Sequence, residues 1–152
     1  MYSNICGDIM DRPNTGRIRG SFFIPRSGMV GVQEIDDDHQ SVVDALEDVR
    51  RHLDDEAYSH VKKTREITQT LLSHFRREED LMRHAEYPHT DAHCMHHDQT
   101  LGHIYRIVGN AELQKSVSLG DLRDLYRTLL DDIFSADMNF HNYLLETNRL
   151  RS

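Results

Sequence analysis

Four stretches of the chain repeat apolar residues at steps of three and four, the spacing that gathers side chains onto one face of an α-helix. In the first, Ile35, Val42, Leu46, Val49 and Leu53 form the stripe and His39 falls inside it. The second runs from about Ser59 to Ala85, with Val61, Ile67, Leu71, His74, Glu78, Leu81 and Met82 inward. Tyr87-Pro88 closes it, because the residue before a proline is pushed out of the helical region. A third, from about Thr90 to Ala111, turns His93, His97, Leu101, Ile104 and Val108 to one side. The fourth starts near Ser118 and continues to about Asn148, carrying Leu122, Leu125, Leu129, Asp132, Ile133, Ala136, Phe140 and Leu144 inward. Four amphipathic helices with short links predict an all-α fold, an up-down-up-down antiparallel four-helix bundle over residues 35–152.

Residues 1–34 have no sustained period and carry Gly together with Pro13 and Pro25, so they read as an extended N-terminal arm packed on the bundle. Phe22, Phe23 and Ile24 are the expected anchors. Asp36, Asp37 and Asp38 are placed to cap the first helix and to stabilise its N-terminal dipole.

Composition narrows the function. A chain of 152 residues can bury a core without help from disulfides or metal, so stability alone demands neither. The net charge of -8 offers no basic face large enough to neutralise a phosphate backbone, which excludes a general nucleic-acid binder. No apolar run is long enough to span a membrane, and the first residues lack the pattern of an export signal; a cytoplasmic protein with no membrane partner is expected. Cys6 and Cys94 have no paired spacing and read as free thiols.

The apolar stripes are interrupted by polar groups of one chemical kind. His39, His74, Glu78, His93, His97, Asp132 and Asp137 all point at one interior. A single inward His is usually a satisfied core residue, and a single Asp in a stripe usually marks a misjudged register. Burying a polar group without a partner costs about 2–7 kcal/mol, and a charge more, so seven such groups together need shared compensation. Metal cations provide it: imidazoles fill terminal positions and carboxylates bridge. A structural zinc site is disfavoured, because it would close with four ligands and would normally use thiolates.

In this order the residues resemble the hemerythrins, specifically the single-domain bacterial type. Residues 30–39, reading VGVQEIDDDH, resemble the family's V-G-I-x-x-I-D-x-Q-H, with Asp38 where Gln is common. His74-Phe75 through Glu78-Glu79 and Leu81-Met82 resembles H-F-x-x-E-E-x-L-M, and Tyr87-Pro88 with His93 and His97 resembles Y-P-x-x-x-x-H-x-x-x-H. The likeness covers about residues 30–137. It implies two iron ions in an oxo- or hydroxo-bridged centre, with His39 and His74 on one, His93 and His97 on the other, and Glu78 and Asp137 bridging. It also implies an oxygen-binding protein rather than an enzyme, a carrier, store or sensor for dioxygen or another small diatomic or anion.

The family places a fifth His in H-I-x-x-x-D, where this chain has Asp132, and a Trp where it has Thr128. If Asp132 ligates, its charge favours ferric iron and faster autoxidation than in an Asp132→His variant. If it does not, a water fills the gap or that site loses occupancy. His141, one turn beyond Asp137, is an alternative ligand; His52, His60, His84, His89, His96 and His103 read as surface or rim residues, His96 least clearly. The carboxylate-rich set also keeps a di-iron oxidase or peroxidase in view, although neither His39 nor His97 has a Glu three residues before it. A nitric-oxide or iron-handling protein rests on Cys6 alone, and a metal-free interaction bundle remains the plainest rival.

Overall fold

The computed structural model describes residues 21–149, so expectations about Cys6 and the outer arm lie outside the described residues. Helix α1 spans Gln33–Arg51, α2 His60–His84, α3 Thr90–Gln114, α4 Leu119–Asp132 and α5 Met138–Glu146. A π-helical turn, Ile133–Asp137, joins α4 to α5, so the two act as one long fourth helix. Helix α1 packs on α2 and α4, and α3 on α2 and α4, which closes a four-sided bundle. Among the described residues no helix is long and apolar enough to cross a membrane.

The stripes read from the sequence supply the core. Ile35, Val42, Leu46, Val49, Ile67, Leu71, Ile104, Val108, Leu122, Leu125, Leu129 and Ile133 are buried, whereas Val61, Leu53, Leu81 and Leu101 stay half-buried at its margins. A smaller apolar group of Met82, Tyr87, Phe140 and Leu144 closes the end where α2 turns into α3. The polar interior described below lies between these two groups in sequence, at the levels of His39, His74, His93 and Asp137.

The helix ends have identifiable causes. At α4 the hydroxyl of Ser118 accepts from the Asp121 N–H at 3.1 Å, while the Asp121 carboxylate accepts from the Ser118 N–H at 2.8 Å. This reciprocal pair satisfies two donors that a helix start leaves open. At the end of α2, Glu86 adopts a left-handed φ of 52°, the Tyr87 N–H reaches the Met82 carbonyl and the Glu86 N–H reaches that of Arg83. The chain has thus reversed one residue before Tyr87-Pro88, and the proline confirms a stop already made by this motif.

The start of α1 differs from expectation. The helix begins at Gln33, three residues before the aspartate run, and no side chain caps it. Asp36 instead reaches back to accept from the N–H groups of Val30 and Gly31 at 2.7 and 2.9 Å, and Gly31 turns the chain with a φ of 81°. A carboxylate can serve two amides this way only from inside the helix, so the run belongs to the first turns and not to the cap.

Of the expected anchors, Phe22 is buried and stacks on Tyr126 at 4.8 Å, and Ile24 is half-buried. Phe23 is 59% exposed and is held through its backbone carbonyl, which accepts from the Tyr126 hydroxyl at 2.6 Å. Alternation along an extended segment explains the correction: neighbours point to opposite sides. Glu47 fastens the same segment by accepting from the Phe22 N–H at 3.3 Å. The Arg50 guanidinium, with that amide, holds the Glu47 carboxyl down at about 2. A depressed carboxylate stabilises the fold above its ordinary range near 4.5 and loses that contribution as pH falls toward about 2. The gap in urea midpoint between the wild type and Glu47→Gln, measured at pH 6, therefore shrinks below about pH 4.5; a gap that stays constant down to pH 3 would contradict this.

Candidate metal centre

Each bundle position contributes to one buried polar layer. His39 comes from α1, His74 and Glu78 from α2, His93 and His97 from α3, and Asp132 and Asp137 from the two ends of the π turn; all seven are buried. His39 Nε2 lies 3.0 Å from His74 Nε2 and 3.2 Å from Asp137 Oδ2. His93 Nε2 lies 3.1 Å from His97 Nε2 and 3.2 Å from Asp137 Oδ1. Glu78 Oε2 sits 3.2 Å from His97 Nε2, 3.5 Å from His93 Nε2 and 3.9 Å from His74 Nε2. Two sets converge closely enough for one ion each: His39, His74 and Asp137, and Glu78, His93, His97 and Asp137. Asp137 turns one oxygen to each set, and Glu78 reaches toward both.

The π turn is what puts Asp137 there. An α-helix advances about 100° per residue, so five residues carry Asp137 roughly 140° round from Asp132, onto another face. One extra residue absorbed in the Ile133–Asp137 turn brings both carboxylates to the interior while Phe134 and Ser135 face out. A continuous regular helix, as the sequence pattern implies, would not do this. Gly28 fits closely over the turn, since a Cβ there would meet Ile24, Ile133 and Phe134 at 3.2–3.3 Å.

The donor groups are short of partners. Both oxygens of Glu78, Asp132 and Asp137 are buried without a hydrogen bond, and so is His39 Nδ1. Carboxylates in this state are rarely tolerated, and close approaches that are not aligned as hydrogen bonds are what donors around a common cation show. The outward nitrogens of two imidazoles, by contrast, are supported. His74 Nδ1 faces Asp38 Oδ2 at 3.4 Å, and Asp38 is in turn held by Arg77 at 3.1 Å. His97 Nδ1 faces Glu79 Oε1 at 3.0 Å, with Arg83 on the other Glu79 oxygen at 3.2 Å. A carboxylate behind an imidazole fixes its tautomer, leaves Nε2 free as a donor and raises its basicity. Phe75 stacks on His97 at 4.0 Å and holds the ring plane.

Charges inside the layer are strongly shifted. Burial opposes a charge on His93, but Asp137 and Glu78 outweigh it and push the imidazole up to about 10. The His74 hydrogen bond, with Arg77, holds Asp38 down at about 2. Burial likewise opposes the charge on Asp137, yet His39 and His93 keep its carboxyl well below the usual range. Asp132 goes the other way, raised by burial and by the neighbouring charge of Asp137. The facing carboxylates raise His39, His93 and His97 against the opposing effect of burial, and a divalent cation can take the place of a proton there. The donor set, imidazole nitrogen and carboxylate oxygen with no thiolate, fits iron or another first-row ion, and Cys94 lies apart beside Arg83 and Glu79.

Asp132 is brought to the edge of the second set, its Oδ1 lying 3.9 Å from His97 Nε2. His141 belongs to neither converging set, and its Nδ1 is engaged with the Val30 carbonyl. His84, His89 and His103 are exposed and His52 and His60 half-buried outside the layer, while His96 is a rim residue turned inward, its Nε2 buried 3.1 Å from Asp132 Oδ1. Sequence reasoning also missed the supporting roles of Asp38 and Glu79. The only signal for Glu79 was its place beside Glu78.

These features define a helical bundle with a buried His and carboxylate site that can hold cations. Residues 30–144 match the model of the hemerythrin HHE cation-binding domain, so the chain belongs to that family. Comparison with curated proteins and with solved structures finds no match.

Proposed function

We propose that the chain is a non-haem di-iron protein of the single-domain bacterial hemerythrin type, an up-down-up-down bundle that binds dioxygen or another small diatomic or anion. It works in the cytoplasm as a carrier, store or sensor and not as an enzyme. The observation that carries this reading is the pair of converging donor sets joined by Asp137, with Glu78 facing both and neither carboxylate otherwise partnered. His39 and His74 would hold one iron, His93 and His97 the other, and Glu78 and Asp137 would span them. The centre supplies a redox couple and a coordination position for the ligand. The first set has fewer donors, which leaves room there for an added ligand.

The residues around the layer do the rest. Phe75, Met82, Ile133 and Phe140, all almost fully buried, keep water out. Asp38 and Glu79 orient His74 and His97, so the nitrogens stay aimed when charge changes at the centre. A cleft of about 710 Å³, lined by His93, His96, Ala136 and Asn139 among others, leads from solvent to the second set.

A second reading, a di-iron oxidase or peroxidase, is favoured by one observation: Asp132 adds a third carboxylate beside the layer. Exposing the reduced, iron-loaded protein to air and then removing the gas distinguishes them. Reversible visible bands, with no steady oxidation of a reducing dye by peroxide, are expected of the binder; continuous dye turnover would establish the enzyme instead.

A further inference from the structure

We infer, on the two-metal reading above, that residues 22–31 form a strap that fixes where along the fourth helix the extra residue is absorbed, and that Gly28 is thereby a positioning residue for Asp137. The segment is attached on both sides of the π turn. Before the turn, the Phe23 carbonyl accepts from the Tyr126 hydroxyl of α4 at 2.6 Å, and Phe22 stacks on the same ring at 4.8 Å. After it, the Val30 carbonyl accepts from Nδ1 of His141, one helical turn past Asp137 on α5. Between these attachments a single 3-10 turn, Arg26–Gly28, closed by the Gly28 N–H on the Pro25 carbonyl at 2.8 Å, seats Gly28 on the π turn itself.

The fit there leaves no slack. Gly28 is buried, and a Cβ on it would stand 3.2 Å from Phe134 Cζ and 3.3 Å from Ile133 Cγ2. Ile133 is wholly enclosed in the core, so it has no room to withdraw. A π turn is rare and occurs mostly as a single insertion in an α-helix, so its surroundings must favour it at this one place. Were the extra residue taken up one turn later, residues 133–137 would continue the register of α4, and Asp137 would swing about 100° out of the layer. The bond to His141 holds α5 in its own register just beyond Asp137, while Gly28 closes over Ile133 and Phe134. Only the stretch between them is left to absorb the residue. Asp36 ties the far end of the strap to α1, its two oxygens accepting from the Val30 and Gly31 N–H groups at 2.7 and 2.9 Å. The strap thus joins the helix that carries His39 to the turn that carries Asp137.

The test uses the full chain, read by amide hydrogen exchange without metal and by cobalt(II) uptake with the visible cobalt bands. In Gly28→Val the added branches meet Ile133 and Phe134. The amides of residues 134–138 are expected to exchange at least about 10-fold faster while those of α2 keep their rates. Cobalt should bind about 10–100-fold more weakly at both positions, with altered bands, the size of effect that loss of an outer support has. Tyr126→Phe, which removes only the hydroxyl, should move both readouts the same way by less, whereas Phe23→Ala, whose ring is exposed, should move neither. Should Gly28→Val fail to fold, as judged by circular dichroism, Gly28→Ala takes its place in the same measurements. Unchanged cobalt affinity and bands in the folded variant would overturn the inference, and so would exchange that quickens alike in every helix, which is all a merely structural glycine would do. A wild type that binds no cobalt, or one ion, overturns the two-metal reading instead, and the exchange rates of the metal-free chain then decide on the strap.

Discussion

Asp137→Asn is expected to empty the centre. The substitution keeps the shape of the side chain and removes the charge that faces His39 with one oxygen and His93 with the other, both at 3.2 Å. Because Asp137 belongs to both converging sets, its loss acts on both ions at once, unlike the loss of any histidine. Retained iron should fall from about two ions per chain to well below one, a loss of affinity beyond the ~10–100-fold typical of an outer-shell change. The fold should survive, since a neutral amide is easier to bury than an unpaired carboxylate. Metal analysis beside the circular dichroism of the same sample measures this, and undiminished iron in the folded variant would remove Asp137 from the centre. Glu78→Gln should follow it with a smaller loss, because Glu78 Oε2 is 3.2 Å from His97 but 3.9 Å from His74.

Inserting an alanine after Ser135 should be more damaging than any change of side chain at that position. The residue is exposed and its hydroxyl reaches only Asp131 at 3.1 Å, so Ser135→Ala is expected to stay within about 0.5 kcal/mol of wild type. Deleting Ser135 takes out the extra residue of the π turn and leaves the two aspartates one turn apart on a regular helix, so α5 should keep its register. An insertion adds a residue that the turn has no further room to absorb, and everything beyond then rotates by about 100°. Asp137 leaves the layer, and Phe140 and Leu144 leave the apolar group they share with Met82 and Tyr87. Withdrawing a buried aromatic alone costs about 3–5 kcal/mol, so a large drop in urea midpoint should accompany loss of iron. An insertion variant as stable and as iron-rich as the Ser135→Ala protein would show that the register of the turn is incidental.

The parts of this protein that the sequence made legible are those set by local periodicity. His74 with Glu78 and His93 with His97 lie one turn apart on their helices, and the apolar residues on either side fix which face points inward. The start of the fourth helix near Ser118 was readable for the same reason, although its reciprocal pair with Asp121 emerges only in the structure. The π turn was not readable. Asp132 and Asp137 both looked inward because apolar residues flank them, yet a spacing of five fits neither a turn nor two turns of a regular helix. That misfit was itself the available signal.

Other features depend on what a neighbouring helix brings. Charge and position make Asp38 a capping candidate, but its partner is His74, 36 residues away. His96 sits at the border of an amphipathic face, where periodicity assigns inside and outside poorly, and only Asp132, arriving from the fourth helix, gives its ring a charged neighbour. Phe23 was grouped with Phe22 on hydrophobicity, and the extended backbone separated them. In each case the residue type was informative and its direction was decided by tertiary packing.

The central claim is that one buried layer holds two unlike iron ions joined by shared carboxylates. Mössbauer spectroscopy of the chain loaded anaerobically with iron(II) and then oxidised tests it most directly, with iron per chain measured on the same sample. About two irons per chain are expected, as distinct ferric components of equal area whose spins cancel at low temperature, as bridged pairs in helical bundles allow. One iron per chain, none, or two that behave as isolated paramagnetic ferric ions would contradict it.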